Sequence, residues 1–365
     1  MKIRDLELAS PFAVAPMAGM TDTAFRRLVK RQGGCGLVVT EMVSSEGLVR
    51  GIDRTLEYAE YTEEERPVSI QIFGGDPETM ASAARIVEQL GADVVDVNLG
   101  CPVPKIAKHN AGCSLMREPE HAASVIAAMA NAVRIPVTVK MRAGWNEHER
   151  NAGVLARMVE DAGAAAIAVH GRTAAQSYSG ESDWRFISEV ADAVSVPVFG
   201  SGDVIEAAQA IGRLRETSVS GILVGRGVLR NPWILAQAAD LAAGRPARQV
   251  TMAERGRFLL EYIDLLLAGD EAEAAGFRHV AAQGDESNPS RQDRAARGRE
   301  RWVINKLRAL GTWYTKGVDN GSHLRTAVNQ CQSIGELRRL VERFFFEGES
   351  LSGEPADGAA MRCGS

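Results

Sequence analysis

Residues 94 to 105, VVDVNLGCPVPK, hold the densest run of reactive and turn-forming residues in the chain. The alternation Val, Asp, Val, Asn fits a short strand whose two faces meet different surroundings, and Gly100 then breaks it. A lone thiol, Cys101, follows directly, and Pro102 stiffens the turn behind it. A thiol on a loop at the end of a buried strand is held by the scaffold yet stays open to substrate, as catalytic groups usually are. On cysteine usage alone, Cys101 reads more readily as a small buried hydrophobe than as a reactive thiol; the rest of the chain reverses that.

Other strand-like runs end in comparable residues: Pro16 and Met17, Glu41, Gln71, Lys140 with Arg142, His170 with Arg172, Ser201 to Asp203, and Gly225 with Arg226. One polar residue at a strand end is ordinary, but a whole set is hard to explain as packing. GSGD and GRG suit backbone N–H groups that cradle a phosphate, and Arg226 adds a charged donor. The remainder fits an isoalloxazine ring. Pro16 and Met17 offer an apolar floor, and Gln71 can donate to or accept from a pyrimidine edge. Lys140 places positive charge where a reduced flavin becomes anionic, and His170 is a further donor.

These residues need a frame. Strands are predicted at 12–17, 37–42, 68–74, 93–100, 136–142, 165–171, 197–203 and 221–227, separated by amphipathic helical stretches such as DTAFRRLVKRQ and DPETMASAARIVEQLG. Eight strands, each followed by a helix, make the α/β arithmetic of a closed (β/α)₈ TIM barrel, whose active sites lie at the strand C-termini. An open doubly wound sheet lacks its fingerprint, because GSGDVI and GRGVLR both miss the third glycine of GxGxxG. Beyond Trp233 the strand signal stops, and MAERGRFLLEYIDLLL, WVINKLRALGTWYTKG and IGELRRLVERFFF read as helices. The expected plan is a barrel over 1–242, a small all-helical domain over 250–346 with a flexible insertion near 270–300, and a disordered tail over 347–365.

Composition narrows the partners. The five cysteines form no CxxC pair and are odd in number, which argues against a disulfide framework and a metal site. MKIRDLELASPF carries charge where a signal peptide needs an apolar core, and no apolar run approaches a membrane span. A cytoplasmic monomer is the expectation. The net charge of −5 hides an asymmetry, since residues 296–346 hold ten Lys/Arg against four Asp/Glu. A basic helical module on an acidic body suits a phosphate-rich partner.

In order and spacing, APMAGMTDTAFRRL, QIFG, DVNLGCPVPK with AGCSL, VKMRAGW, VHGRT with YSGESDW, GSGD, and GRG with NPW resemble the tRNA-dihydrouridine synthase family, most closely its bacterial B-type branch. The helical WVINKLRALGTWYTKG…LRTAVNQ is similar to that family's C-terminal domain. The resemblance implies FMN as cofactor, NADPH or NADH as reductant, and tRNA as substrate. Hydride would reach uracil C6 while Cys101 protonates C5. It further implies FMN contacts from Pro16, Met17, Ala18, Gln71, Lys140, Ser201, Gly202, Asp203, Gly225 and Arg226, with His170 nearby. An ordinary thiol is mostly protonated at neutral pH and can act as a general acid without an activating base. Asn98, Lys105 and Arg172 are the candidates for holding an extruded nucleotide. Ser201 stands where the family more often has Asn, and Cys113 where Ser or Ala is usual. Two other readings share the flavin: a reductase or dehydrogenase of a free pyrimidine, and a tRNA chaperone with a structural flavin. Neither accounts for both the thiol loop and the basic helices.

Overall fold

The computed structural model describes residues 1–103, 111–268, 276–279 and 289–347, with the side chains of the last segment described from 297 onward. Eight parallel strands run from β1 (Phe12–Val14) through β2 (Leu37–Val39), β3 (Val68–Phe73), β4 (Val94–Leu99), β5 (Val137–Arg142), β6 (Ala166–His170) and β7 (Val198–Ser201) to β8 (Gly221–Val224). Each pairs with its sequence neighbour, and β8 returns to β1, so the ring closes. All eight lie where the Val/Ile-rich runs place them, trimmed by up to three residues where the chain leaves the ladder to form the rim.

Helices α1 (Thr23–Gln32), α2 (Ser45–Val49), α3 (Pro77–Gln89), α4 (Pro119–Ala132), α5 (Ala152–Asp161), α6 (Trp184–Asp192), α7 (Ala207–Glu216) and α8 (Ile234–Ala242) each follow one strand. Their starts are written in the sequence. The Asp22, Asp76 and Asp183 carboxylates accept the N–H of Phe25, Thr79 and Phe186, and Pro77 and Pro119 occupy first-turn positions that have no N–H to lose. Val137, Val139 and Met141 of β5 are fully buried on one face, which leaves Thr138, Lys140 and Arg142 on the other. The period of two thus delivers one row of polar side chains to the barrel axis. At the opposite end the hairpin Lys2–Ile3/Leu6–Glu7 forms a floor, with Ile3 and Leu8 packed among Leu37, Val94, Ala166, Phe199 and Leu223.

The insertion expected near 270–300 requires correction. Gly276–Phe277 pairs antiparallel with Tyr61–Thr62 of the β2–β3 excursion, Arg278 forms an ion pair with Glu60 at 3.2 Å, and His279 Nε2 lies 2.9 Å from Asp53 Oδ1. The helix expected to begin near Trp302 starts at Pro289 instead. Polar PSRQDRAARGRE has no apolar period, but it is rich in helix formers and opens with a first-turn proline, so propensity carries the helix where periodicity is silent. Residues 269–275, 280–288 and the expected tail from 348 lie outside the described residues.

The chain divides into a barrel unit built on Met1–Gln249 and a helical unit formed by Val250–Leu267 with the segment beginning at Pro289. The helical unit contains α9 (Met252–Ala268), α10 (Pro289–Tyr314), α11 (Gly321–Gln330) and α12 (Ile334–Glu342). Phe258 and Tyr314 stack at 5.7 Å in its core, and the Tyr314 hydroxyl donates to the Arg255 carbonyl at 2.9 Å. On its surface, Trp302 is exposed with Arg299 and Lys306 over its ring. Among the described residues no helix is long and apolar enough to cross a membrane.

Candidate active site

At the end of β4 the Asn98 side-chain oxygen accepts the N–H of Gly100 at 3.0 Å and of Cys101 at 2.8 Å, which curls the chain so that the thiol stands on the rim. Asn98 Nδ2 donates to Gln71 Oε1 at 2.7 Å, and Gln71 Nε2 donates to Asp96 Oδ2 at 2.7 Å. Thr138 donates to the other Asp96 oxygen at 2.6 Å. Register explains the line, because Gln71, Asp96 and Thr138 are direct partners across β3, β4 and β5. Burial pushes the Asp96 carboxyl above its ordinary range, against the pull of Gln71, Thr138 and Lys140.

Arg142 braces the same loop from β5. Its Nε donates to the Gly100 carbonyl at 2.9 Å, and Nη1 donates to the Thr173 and Ser177 carbonyls of the β6 loop at 3.0 and 2.9 Å. The Cys101 carbonyl accepts the Cys113 N–H at 3.1 Å, which ties the far side of the loop to the turn Gly112–Arg117. Cys113 itself is fully buried, and burial pushes its thiol up to about 12, so it keeps its proton and has no open face toward a substrate. Cys101 is half-buried.

Positive charge gathers around the axis. Burial and the neighbouring Arg142 push the Lys140 ammonium down to about 8, with Asp96 opposing, and it makes no hydrogen bond among the described residues. His170 is pushed down to about 2 by burial and by Lys140, Arg142, Arg172 and Arg226, so its imidazole is neutral. Its Nε2 is buried without a partner among the described residues. A buried, unpaired ring nitrogen costs free energy unless a ligand group completes it.

The β6, β7 and β8 loops form a second focus. Arg172 Nη1 and Nη2 donate to both Asp203 oxygens at 2.9 and 2.8 Å, and Nε donates to the Ser179 carbonyl at 3.0 Å. Arg226 Nη2 reaches the same carboxylate at 3.3 Å, and the Ser182 N–H donates to it at 2.7 Å. Burial alone would raise the Asp203 carboxyl, yet these donors hold it below the usual range. The Gly202 carbonyl accepts the Trp184 indole N–H at 3.0 Å. Gly202 has φ +130, and a Cβ there would lie 2.1 Å from Ser182 Oγ, so the turn requires glycine.

Pro16 and Met17 are half-buried at the end of β1, and Ala18 is exposed beside them. The Met17 N–H donates to Thr21 Oγ1 at 3.1 Å, which fixes the floor. A Cβ on Gly225 would meet only Ala15 and the Met17 sulfur, both at 3.7 Å, so the missing side chain leaves room above that floor. An apolar floor, an open glycine, an unpaired buried imidazole and an unbonded ammonium are the donor set that a flavin ring and its phosphate need, and these residues fit one.

Three expectations change in detail. Arg172 is 2% exposed, and its guanidinium donates to Asp203 and to the Ser179 and Gly180 carbonyls, which joins the β6 and β7 loops. Asn98 spends both ends of its amide on Gln71 and the Cys101 turn. Lys105 lies outside the described residues. Asp96 and Thr138 were missing from the expected site, although each shares strand parity with a residue that was in it, and Arg142 was placed on the rim without a role.

The family profile described as dihydrouridine synthase (Dus) matches residues 13–289. The chain is 42% identical over 347 residues to a probable tRNA-dihydrouridine synthase of Rickettsia bellii, spanning 94% of this chain and 98% of that one. It is 38% identical over 346 residues to tRNA-dihydrouridine synthase B of Xanthomonas axonopodis pv. citri, spanning 94% and 96%. Among solved structures, histamine dehydrogenase from Rhizobium aligns over 72% of this chain and 50% of that chain with TM-score 0.51 and 14% identity, a likeness of fold alone.

Proposed function

The chain belongs to the dihydrouridine synthase family, and from that premise we propose how its rim residues perform flavin-dependent reduction of uridine in tRNA. The flavin is FMN, the reductant NADPH or NADH, and the target a uridine of the D-loop. Bound FMN supplies hydride to uracil C6. The protein's part is to hold the ring, to bear the charge that develops, and to deliver one proton.

Pro16, Met17 and Ala18 would form the floor for the ring and Lys140 with His170 would meet its polar atoms, while Gln71 spends both ends of its amide on Asp96 and Asn98. The backbone N–H groups of Ser201, Gly202, Asp203 and Gly225, with the Arg226 guanidinium, would take the phosphate, while the Asp203 carboxylate holds Arg172 and Arg226. Hydride addition leaves the pyrimidine anionic until a proton arrives at C5, and Lys140 and Arg142 stabilise that charge from within a site of low dielectric. The family resemblance gives the proton to Cys101, and its half-buried place on the rim loop suits that role, whereas His170 is neutral and Cys113 is fully buried. The observation that carries the reading is the Cys101 turn, pinned by Asn98 inside and Arg142 above, on the same rim as the unpaired His170 and Lys140. The exposed Trp302 with its flanking cations gives the helical unit a stacking and phosphate-binding face for RNA.

The test is anaerobic. Cys101→Ala should bind FMN and be reduced by NADPH as the parent protein is. Its reoxidation by unmodified tRNA should fall by about 100-fold or more, the usual loss with a general acid. Undiminished reoxidation would remove Cys101 from the chemistry. Reoxidation of the parent protein by uracil or orotate, but not by tRNA, would move the substrate to a free pyrimidine.

A further inference from the structure

Backbone N–H groups only donate, so the Asn98 atom facing Gly100 and Cys101 has to be its oxygen. Asn98 must then present Nδ2 to Gln71, and Gln71 must answer with Oε1. That leaves Gln71 Nε2 facing Asp96, whose carboxylate can only accept when ionised. The two ends of the chain demand one direction, and no amide in it can be reversed alone. Asp96, Gln71 and Asn98 are 5%, 1% and 8% exposed, so water offers little substitute for a mismatched partner.

We infer that Asp96 is a positioning residue for the Cys101 thiol, acting through Gln71 and Asn98 as a hydrogen-bond relay of fixed polarity. The carboxylate selects the orientation of Gln71, Gln71 selects that of Asn98, and Asn98 then offers oxygen to the two N–H groups that curl the Cys101 turn. Thr138 holds the far Asp96 oxygen, so the relay has a fixed root in β5. The catalytic meaning rests on Cys101 as that donor; the ordering of its turn does not.

Polarity makes the relay testable by exchange. Asn98→Asp places two carboxylates on either side of Gln71, whose single amide N can satisfy only one, and the loop end yields. Asp96→Asn alone is mild, because the new amide can keep oxygen toward Gln71 and turn its nitrogen to the Thr138 hydroxyl. In the Asp96→Asn, Asn98→Asp double variant the chain reads consistently in reverse. Asn donates to Gln71 Oε1, Gln71 Nε2 donates to the new Asp, and its other oxygen still accepts from Gly100 and Cys101.

The readout is amide hydrogen exchange of the peptide covering 99–103 in FMN-loaded protein, with kcat and KM for tRNA measured alongside. Exchange at Gly100 and Cys101 should quicken about tenfold in Asn98→Asp and stay within about threefold of the parent in Asp96→Asn and in the double variant. In Asn98→Asp, kcat should fall more than KM rises. Additive effects of the two substitutions, or unchanged exchange in Asn98→Asp, would overturn the relay. If Asn98→Asp does not fold, recovery of folded protein in the double variant supports it, and no recovery overturns it. Turnover retained in Cys101→Ala would defeat the proton-donor reading and leave the exchange pattern standing on its own.

Discussion

Lys140→Met should make the flavin-free protein more stable while disabling it. Lys140 ends up facing Arg142 on a buried strand face, and its ammonium is pushed from 10.5 down to about 8 by burial first and Arg142 second. At about 1.4 kcal/mol per pH unit, that fall disfavours the charged form by about 3 kcal/mol, after the attraction of Asp96 has been counted. Solvent at the rim reduces this, so the expected gain at pH 7 is about 1–3 kcal/mol. The sign follows from linkage. Between about 8 and 10.5 the unfolded chain binds the Lys140 proton and the folded one does not, so folding gains stability as pH rises through that window. Below it the penalty is present in full. Urea unfolding of flavin-free parent and variant at pH 7, 8, 9 and 10 gives the difference directly, with other alkaline titrations common to both. The variant should lead at pH 7 and lose its lead by pH 10. A variant less stable at pH 7, or a gap that ignores pH, would refute the charge-penalty argument. NADPH-dependent turnover should fall in the same variant.

Two further outcomes follow from the site. His170→Leu removes an unpaired buried nitrogen, so flavin-free stability should hold or rise, while FMN affinity by fluorescence titration should weaken about tenfold for one lost hydrogen bond. Arg172→Met should destabilise the barrel by about 2–3 kcal/mol in denaturant titration, because Asp203 loses its two-pronged guanidinium and, among the described residues, keeps Arg226 and the Ser182 N–H. That loss should shrink as pH falls through the depressed Asp203 range, since a protonated Asp203 no longer needs the cation.

The sequence by itself determined the barrel and the thiol loop. Eight Val/Ile-rich runs, aspartate caps and first-turn prolines are signals within a few residues of one another, and each element formed where its own residues placed it. The strand-end residues were legible for the same reason, because a closed barrel brings every strand C-terminus to one rim whatever the side chains are. Propensity without periodicity was not legible, which is why the polar start of α10 read as a loose insertion. Only the tertiary structure decided what each rim residue touches. Arg172 looked free to hold a nucleotide until Asp203, 31 residues on, took its guanidinium. Asn98 looked like a substrate contact until Gln71, 27 residues earlier, fixed the direction of its amide. Lys140 and His170 acquired their shifted protonation from cations on other strands and from burial. Hydrogen-bond direction and desolvation belong to the set of groups that folding brings together, and a linear sequence does not contain that set.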